Sequence, residues 1–410
     1  MKEYDLVIIG GGSAGLSSAI GAYDEGLRSI LIIEKDKFLG GILLQCIHNG
    51  FGLEVFKSEL TGPEYAFRLE EMVKSRNINL LNNTIVTSID NDKIITCIND
   101  LDGIIEIKAK AIICSTGAME RTKEAINIPG DRPNGVLTAG LAQKYMNIDG
   151  YLIGKRIFIL GSGDIGLIMA KRMTLEGANV IGVAEIMPYS NGLSRNIVQC
   201  LHDFNIPLYL KHTVKKIIGK ANLERIIISK VDDDFNYIDG TDIEIECDAL
   251  LLSVGLIPYN PLLEKLNIII DPITKGPVVN SHYETSIKGI FACGNGLHVH
   301  DLVDNVTKES MVAGKYAAKY VNEQVNINNS FKIESGKMIS YVLPQIGFVN
   351  EEVEVSFRVK TPLENKYIEI YQNDAIIKRV KKNFLLPSEM VRIHFSTSSN
   401  SVIRIGVSDA

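Results

Sequence analysis

The chain has 410 residues, 46% hydrophobic and 22% charged, with 43 Lys and Arg against 49 Asp and Glu, a formal charge of -6. That size predicts two or three domains with substantial cores, and the composition excludes disordered, collagen-like and coiled-coil chains. With no basic run, a net negative chain is repelled by nucleic acid and by anionic lipid, so neither is expected as a partner.

The start, MKEYDLVIIG, lacks the long apolar region and small-residue cleavage site of a secretory signal. Residues 4–9 read as a strand that ends at Gly10-Gly11-Gly12-Ser13-Ala14-Gly15. A helical pattern from Leu16 to Glu25 follows, then a second strand, Ser29–Ile33, ending in Glu34. This strand–turn–helix–strand order is a βαβ unit. Thr61-Gly62-Pro63-Glu64 reads as a capping box with Pro in the first turn, opening a helix to about Arg76. Four short strands are expected over 84–115, TIVTSI, KIITCI, IIEIKA and AIICST. The βαβ pattern then recurs: Ile157–Leu160 leads into Gly161-Ser162-Gly163-Asp164-Ile165-Gly166, a helix to about Gly177, and Val180–Ala184 before Glu185.

Beyond the repeat, strands are expected at YLKHTVKKI, RIIISKV, DIEIE and DALLLSVG, and Pro258, Asn260 and Pro261 mark a domain crossing. Gly289-Ile290-Phe291-Ala292-Cys293-Gly294 is another strand into a tight turn, and Asp304–Val321 reads as a long helix. From about 330 the pattern changes to β-hairpins, with a turn signal at Gln372-Asn373-Asp374. The expected fold is therefore α/β, with two Rossmann-like dinucleotide-binding domains and a small β-rich C-terminal domain. The first domain, 1–150 and 256–328, is split by the second, 151–255, and the tail is 329–410.

No apolar run approaches the roughly 20 residues a bilayer span needs. The six cysteines, Cys46, Cys97, Cys114, Cys200, Cys247 and Cys293, are far apart, without CxxC or zinc-type spacing. Most lie in strand-like apolar surroundings, the usual setting of a buried free thiol. A reducing, cytoplasmic location is the expectation.

A GxGxxG turn lets the backbone approach a pyrophosphate, and the helix behind it offers free N–H groups and a partial positive charge. Each copy here follows a strand, opens a helix, and is followed about 20 residues on by a carboxylate suited to an adenosine ribose, Glu34 and Glu185. Two dinucleotides are expected. No Arg or Lys closely follows Glu185, and its carboxylate would repel a 2′-phosphate, so NAD(H) is favoured over NADP(H).

The order of these parts resembles the pyridine nucleotide–disulfide oxidoreductase superfamily over about residues 4–325. The matching pieces are Gly10, Gly12 and Gly15; Ser115-Thr116-Gly117 before Pro129-Gly130; the second glycine turn; Ser253-Val254-Gly255 before Pro258; and Gly289 to Asn295. The resemblance implies a non-covalent FAD on Gly10, Gly12, Ser13, Ala14, Gly15, Glu34, Lys35, Gly41, Val86, Thr116, Gly117, Gly294, Asn295, Val306 and Thr307. It implies NAD(H) on Gly161, Gly163, Asp164, Ile165, Gly166, Glu185 and Gly255. Asn295 stands where the superfamily usually has Asp, which keeps an acceptor for the ribityl chain and adds a donor. The helix behind it is expected to aim N–H groups near Val306 and Thr307 at the flavin, favouring a reduced anionic ring.

The superfamily's redox-active cysteine pair is missing, which argues against dithiol chemistry. In the corresponding loop, Cys46 and His48 could form a peroxidatic thiol with its base, or a charge-transfer donor; Cys46 could equally be inert packing. His298, His300, Asp301 and Asp304 could relay protons or touch substrate, or they could fix the loop, with Asp304 as helix N-cap. No metal is expected, because no third ligand accompanies the two histidines.

At finer grain, GGILLQCIHNGFG, TGPEYA, IPGDRPNGVLTAG, CGNGLHVHDLVD and LPSEM resemble a subgroup encoded beside a FAD-dependent glycerol-3-phosphate dehydrogenase and a small cysteine-rich protein. That resemblance implies an electron-transfer subunit with those two partners, in which hydride moves between NAD(H) and FAD. The alternatives are a self-contained NADH oxidase or peroxidase using Cys46, and a flavoprotein without turnover. The tail could serve homo-oligomerisation or partner docking.

Overall fold

The computed structural model describes residues 1–324 and 329–409, so the expected boundary at 328/329 and residue 410 fall outside the described residues or at their edge. The chain forms two units, Met1–Ala118 with Pro258–Ala410, and Met119–Ile257.

In the first unit, Lys2–Ile9 and Ile30–Ile33 pair in parallel, from Leu6 opposite Ile30 to Ile9 opposite Ile33. Asn79–Leu81 extends the sheet beyond Ile30–Ile33, and Gly103–Cys114 flanks Lys2–Ile9 on the other side. Gly103–Cys114 is one strand of 12 residues where the sequence suggested two. Nothing at Lys108-Ala109-Lys110 breaks it, so its first part pairs antiparallel with Ile94–Asn99 and its end pairs parallel with Ile290–Ala292. Leu6–Ile9 and Ile30–Ile33 are buried throughout, as parallel strands covered on both faces require.

Two helices cover this sheet in close contact, Ser13–Asp24 and Val303–Val321. A Cβ on Gly21 would stand 2.2 Å from the Met311 carbonyl oxygen, and one on Gly314 would stand 1.9 Å from that of Ser18. Only glycine lets these backbones touch. The expected capping box is present: the Thr61 side chain accepts the Glu64 N–H, and Glu64 accepts the Thr61 N–H, opening the helix Gly62–Ser75.

The second unit holds a parallel sheet in the order Val136–Thr138, Ala249–Leu252, Arg156–Leu160, Asn179–Glu185, Leu208–Leu210. A three-stranded antiparallel sheet, His212–Ile218, Arg225–Lys230 and Ile243–Glu246, accompanies it. Residues 119–150, expected in the first domain, fall in this unit instead. Val136–Thr138 takes the hydrogen-bonding edge of Ala249–Leu252, and Ala142 and Met146 of the helix Ala139–Asn147 enter this unit's core.

The tail is a β-sandwich with its own core, built from Phe331, Val355, Phe357, Ile368, Ile393 and Ile405 among others. The expected hairpin joins Leu363–Gln372 to Ala375–Leu385 through Asn373 and Asp374. Both have positive φ, 48° and 64°, as a tight two-residue hairpin turn requires. The sandwich groups with the first unit, although it was expected to stand as a separate domain.

Candidate functional site

The two glycine turns have the same local construction. Gly10 and Gly161 have φ of 106° and 97°, and a Cβ on either would strike the carbonyl oxygen of Ser115 or Ser253, at 2.5 and 2.1 Å. Gly15 and Gly166 let each helix press on its strand: a Cβ there would stand 1.8 Å from the Gly10 oxygen and 2.7 Å from the Gly161 oxygen. The two serines pin the turns. Ser115 Oγ donates to the carbonyls of Ile9 and Gly10, and Ser253 Oγ accepts the Gly166 N–H. Their role was not assigned from sequence, yet both precede the same Xaa-Gly pair, and that repeated Ser-Xaa-Gly is the signal that could have found them.

Both carboxylates are buried and hold their turns. Glu34 accepts N–H groups from Gly11 at 2.6 Å and Asp36 at 2.8 Å. Glu185 accepts from Ser162 N at 3.0 Å, Ser162 Oγ at 2.6 Å and Met187 N at 3.0 Å. Neither helix is capped by a side chain at Gly12 or Gly163, so the first-turn N–H groups of Ser13, Ala14, Asp164 and Ile165 are left for another acceptor. The Asp164 carboxylate is engaged elsewhere, accepting from Leu193 N and Asn196 Nδ2, so only its backbone faces that role.

The three segments expected to hold FAD converge in the first unit. Gly294, with φ of 67°, stands where a Cβ would meet that of Ala14 at 2.6 Å, and one on Gly296 would lie 3.3 Å from Thr116 Oγ1. Gly41 backs onto Gly12, with 3.2 Å between its would-be Cβ and the Gly12 Cα. On the open side, a Cβ on Gly117 would meet nothing within 4 Å, and one on Gly12 only the Gly41 Cα at 4.0 Å. A cradle of backbone N–H groups that one methyl would start to fill suits a pyrophosphate. Lys35 is exposed and paired with Asp36, and Val86 is partly buried in the strand Thr84–Ile89. In the second unit, Gly255 has φ of 99° and its carbonyl accepts the Arg121 N–H.

The long helix differs from expectation at its start. It begins at Val303 with Leu302 as N-cap, and the Val306 N–H is bonded to the Leu302 carbonyl. The open N–H groups therefore lie one turn before Val306 and Thr307. Thr307 is fully buried, 2.7 Å from Tyr65 Oη. Asp304 is not the cap; it lies inside the first turn and accepts N–H groups from Gly52 and Val55, tying down the 41–55 loop. Asn295 uses its side-chain oxygen internally, accepting the His300 N–H at 3.0 Å.

His298 and His300 converge on a residue the sequence reading missed. Their Nε2 atoms lie 2.8 and 3.2 Å from the two oxygens of Glu309, and the Gly294 N–H donates to the same carboxylate at 2.8 Å. Burial alone would raise the Glu309 pKa, but the facing His300 and His298 outweigh it and hold the carboxyl well below the usual range. Burial, reinforced by His300, lowers the His298 pKa against the pull of Glu309. The stated reason for expecting no metal does not hold, since Glu309 is a third ligand-type group and all three donor atoms lie within 4.8 Å. The Gly294 N–H donates to that carboxylate whichever tautomer the two histidines adopt. Glu309 is placed between Lys308 and Ser310, and nothing in that local pattern marks it as buried.

Cys46 and His48 do not show the traits of an activated pair. Burial pushes the Cys46 thiol up to about 12, and its sulfur donates to the Ile42 carbonyl at 3.3 Å. His48 Nδ1 lies 3.0 Å from the Asn49 carbonyl, its ring against Phe51. All six cysteines are free thiols, and five are buried. Among the described residues, no helix is long and apolar enough to cross a membrane.

A NADH dehydrogenase of Bacillus subtilis (strain 168) is 25% identical over 299 residues, 72% of this chain but 54% of that protein, so the chain spans about half that relative's length. A ferredoxin–NADP reductase of Picrophilus torridus is 25% identical over 341 residues, 80% of this chain and 97% of that protein. The T. acidophilum thioredoxin reductase structure superposes with a TM-score of 0.61 at 22% identity, covering 79% of this chain and 99% of that one, which is a likeness of fold. The family model for pyridine nucleotide-disulphide oxidoreductases matches residues 4–313, about three-quarters of the chain, so the protein belongs to that family of FAD- and NAD(P)H-binding oxidoreductases.

Proposed function

We propose that the chain carries hydride between NAD(H) and a non-covalent FAD and passes the electrons to or from a separate protein. The observation that carries this reading is the duplicated turn. Each unit presents an uncapped helix start behind a glycine bend, fixed by a serine and a buried carboxylate. In the first unit, Gly10 to Gly15, Glu34, Thr116-Gly117 and Gly294-Asn295 would hold FAD; in the second, Gly161 to Gly166, Glu185 and Gly255 would hold NAD(H). When bound, FAD supplies a ring that takes up or releases two electrons. The chain's own contribution is to neutralise pyrophosphate charge with first-turn N–H groups and to fix the riboses with carboxylates. The carboxylate at Glu185 favours NAD(H), since a 2′-phosphate there would be repelled.

The partner reading rests on the resemblance to the glycerol-3-phosphate dehydrogenase-associated subgroup. A FAD-dependent dehydrogenase subunit and a small cysteine-rich protein are the proposed partners. Two features support an acceptor outside the chain: the sequence carries no CxxC pair, and burial holds the Cys46 thiol up near 12, far from a reactive thiolate.

The test is anaerobic titration of the purified yellow protein with NADH, alongside the Cys46→Ser variant. The flavin absorbance should bleach with about one equivalent of NADH. NADH–dye turnover of Cys46→Ser should stay within about twofold of the parent, because a thiol with so high a pKa is unreactive at neutral pH. Loss of oxygen or peroxide turnover in that variant would instead favour the oxidase or peroxidase reading, and an unbleached flavin would leave a protein without this activity.

A further inference from the structure

The buried set around Glu309 joins the late glycine turn to the C-terminal sandwich. On the inner side, the Glu309 carboxylate receives the Gly294 N–H. The side chains of His298, His300 and Glu309 are each 1% exposed. On the outer side, His298 Nδ1 lies 3.4 Å from Tyr341 Oη, a residue of the sandwich strand Ile339–Leu343. Arg358, also of the sandwich, stands beside Tyr341, pairs with Asp301, and donates to the carbonyls of Val299 and Pro387. Asp301 in turn accepts the Met390 N–H, so the LPSEM segment closes this contact. Tyr283 and Cys293 complete the ionisable surroundings of Glu309, and burial raises the pKa of both.

This arrangement is more than a loop anchor. A carboxylate can only accept, so both Nε2 atoms carry protons toward it, and burial opposes a second proton on His298. The ionised carboxylate therefore keeps its negative charge in a low-dielectric interior, where charge acts at longer range than in water. That charge lies directly behind the peptide N–H of Gly294. We propose that Glu309, gripped by His298 and His300, sets the electrostatic potential felt by the flavin at the Gly294 turn, with Tyr341 of the sandwich as the outer arm that disperses its charge. Glu309 and Tyr341 are positioning residues here, and they give the C-terminal sandwich a route by which to influence flavin chemistry.

The inference rests on the proposed placement of FAD at Gly294, and two readouts separate the two ideas. Flavin content tests the placement; the midpoint potential of the bound flavin, with its dissociation constant for added sulfite, tests the charge. Sulfite donates its sulfur lone pair to form a bond to flavin N5, leaving negative charge on the ring, and consumes nothing else. Glu309→Gln keeps the size and removes the charge. It should bind sulfite about tenfold more tightly and shift the potential positive while retaining flavin. A purely structural role would lower flavin content and leave the bound fraction at the parent potential, which overturns the proposal. Stoichiometric divalent metal in the parent protein, absent from Glu309→Gln, also overturns it. If Glu309→Gln does not hold flavin, Tyr341→Phe decides. It should retain flavin and shift the potential negative, since His298 loses the hydroxyl that draws charge away from Glu309. An unchanged potential overturns the proposal.

Discussion

Gly15→Ala should give a protein that is both colourless and unstable, because the added methyl would stand 1.8 Å from the Gly10 carbonyl oxygen. Neither atom can move without unpacking the helix Ser13–Asp24 from the strand Lys2–Ile9. Overpacking of this kind costs about 3 kcal/mol, read as a fall in the urea midpoint. Gly12→Ala is the informative partner. Gly12 has φ of -74°, and its methyl would meet only the Gly41 Cα, at 4.0 Å. The fold should survive with stability within about 1 kcal/mol, while flavin occupancy drops sharply because the methyl projects into the cradle. If Gly12→Ala purifies with a full complement of flavin, the pyrophosphate does not sit at this turn.

Glu185→Ala should damage the other half of the reaction alone. The carboxylate accepts hydrogen bonds from Ser162 N, Ser162 Oγ and Met187 N, so its removal loosens the turn and takes away the proposed ribose contact. A hydrogen bond to a charged group is worth about 1.5–3 kcal/mol, or about a 10- to 160-fold rise in KM for NADH. Flavin content should stay at the parent level, because Glu185 lies in the second unit. The preference for NADH over NADPH should narrow, since the charge opposing a 2′-phosphate is gone. Steady-state kinetics with both coenzymes would show this, and an unchanged KM for NADH would remove Glu185 from the site.

The parts of the fold legible in the sequence were those with a local physical signature. The glycine turns need positive φ at Gly10 and Gly161, the capping box is spelled out by Thr61 and Glu64, and Asn373-Asp374 marks a hairpin. What escaped depended on distant partners. Val136–Thr138 is only three residues long, and its allegiance comes from the edge it meets at Ala249–Leu252. The helix start was misplaced because Asp304 looks like an N-cap, whereas the 41–55 loop claims its carboxylate. Glu309 reads as an ordinary helical glutamate beside Lys308, and only the return of His298 and His300 onto that helix makes it the centre of a buried set. The carboxylates Glu34 and Glu185 were found by their spacing, but their grip on the turns themselves was not.

The interlocked glycines of the two long helices bear on how the chain is made. Ser13–Asp24 is complete early, yet the surface it fits, Val303–Val321, is encoded nearly 300 residues later. At about 5–20 residues per second, the ribosome needs roughly 15–60 s to bridge that gap. Throughout that interval the face of the first helix that meets Val303–Val321 has no companion, although the neighbours of the strand Lys2–Ile9, Ile30–Ile33 and Gly103–Cys114, are already made. The second unit can close on itself in the meantime. Nascent chains stalled before residue 303 should therefore carry a finished second unit between unfinished ends, and those ends are where a chaperone would bind.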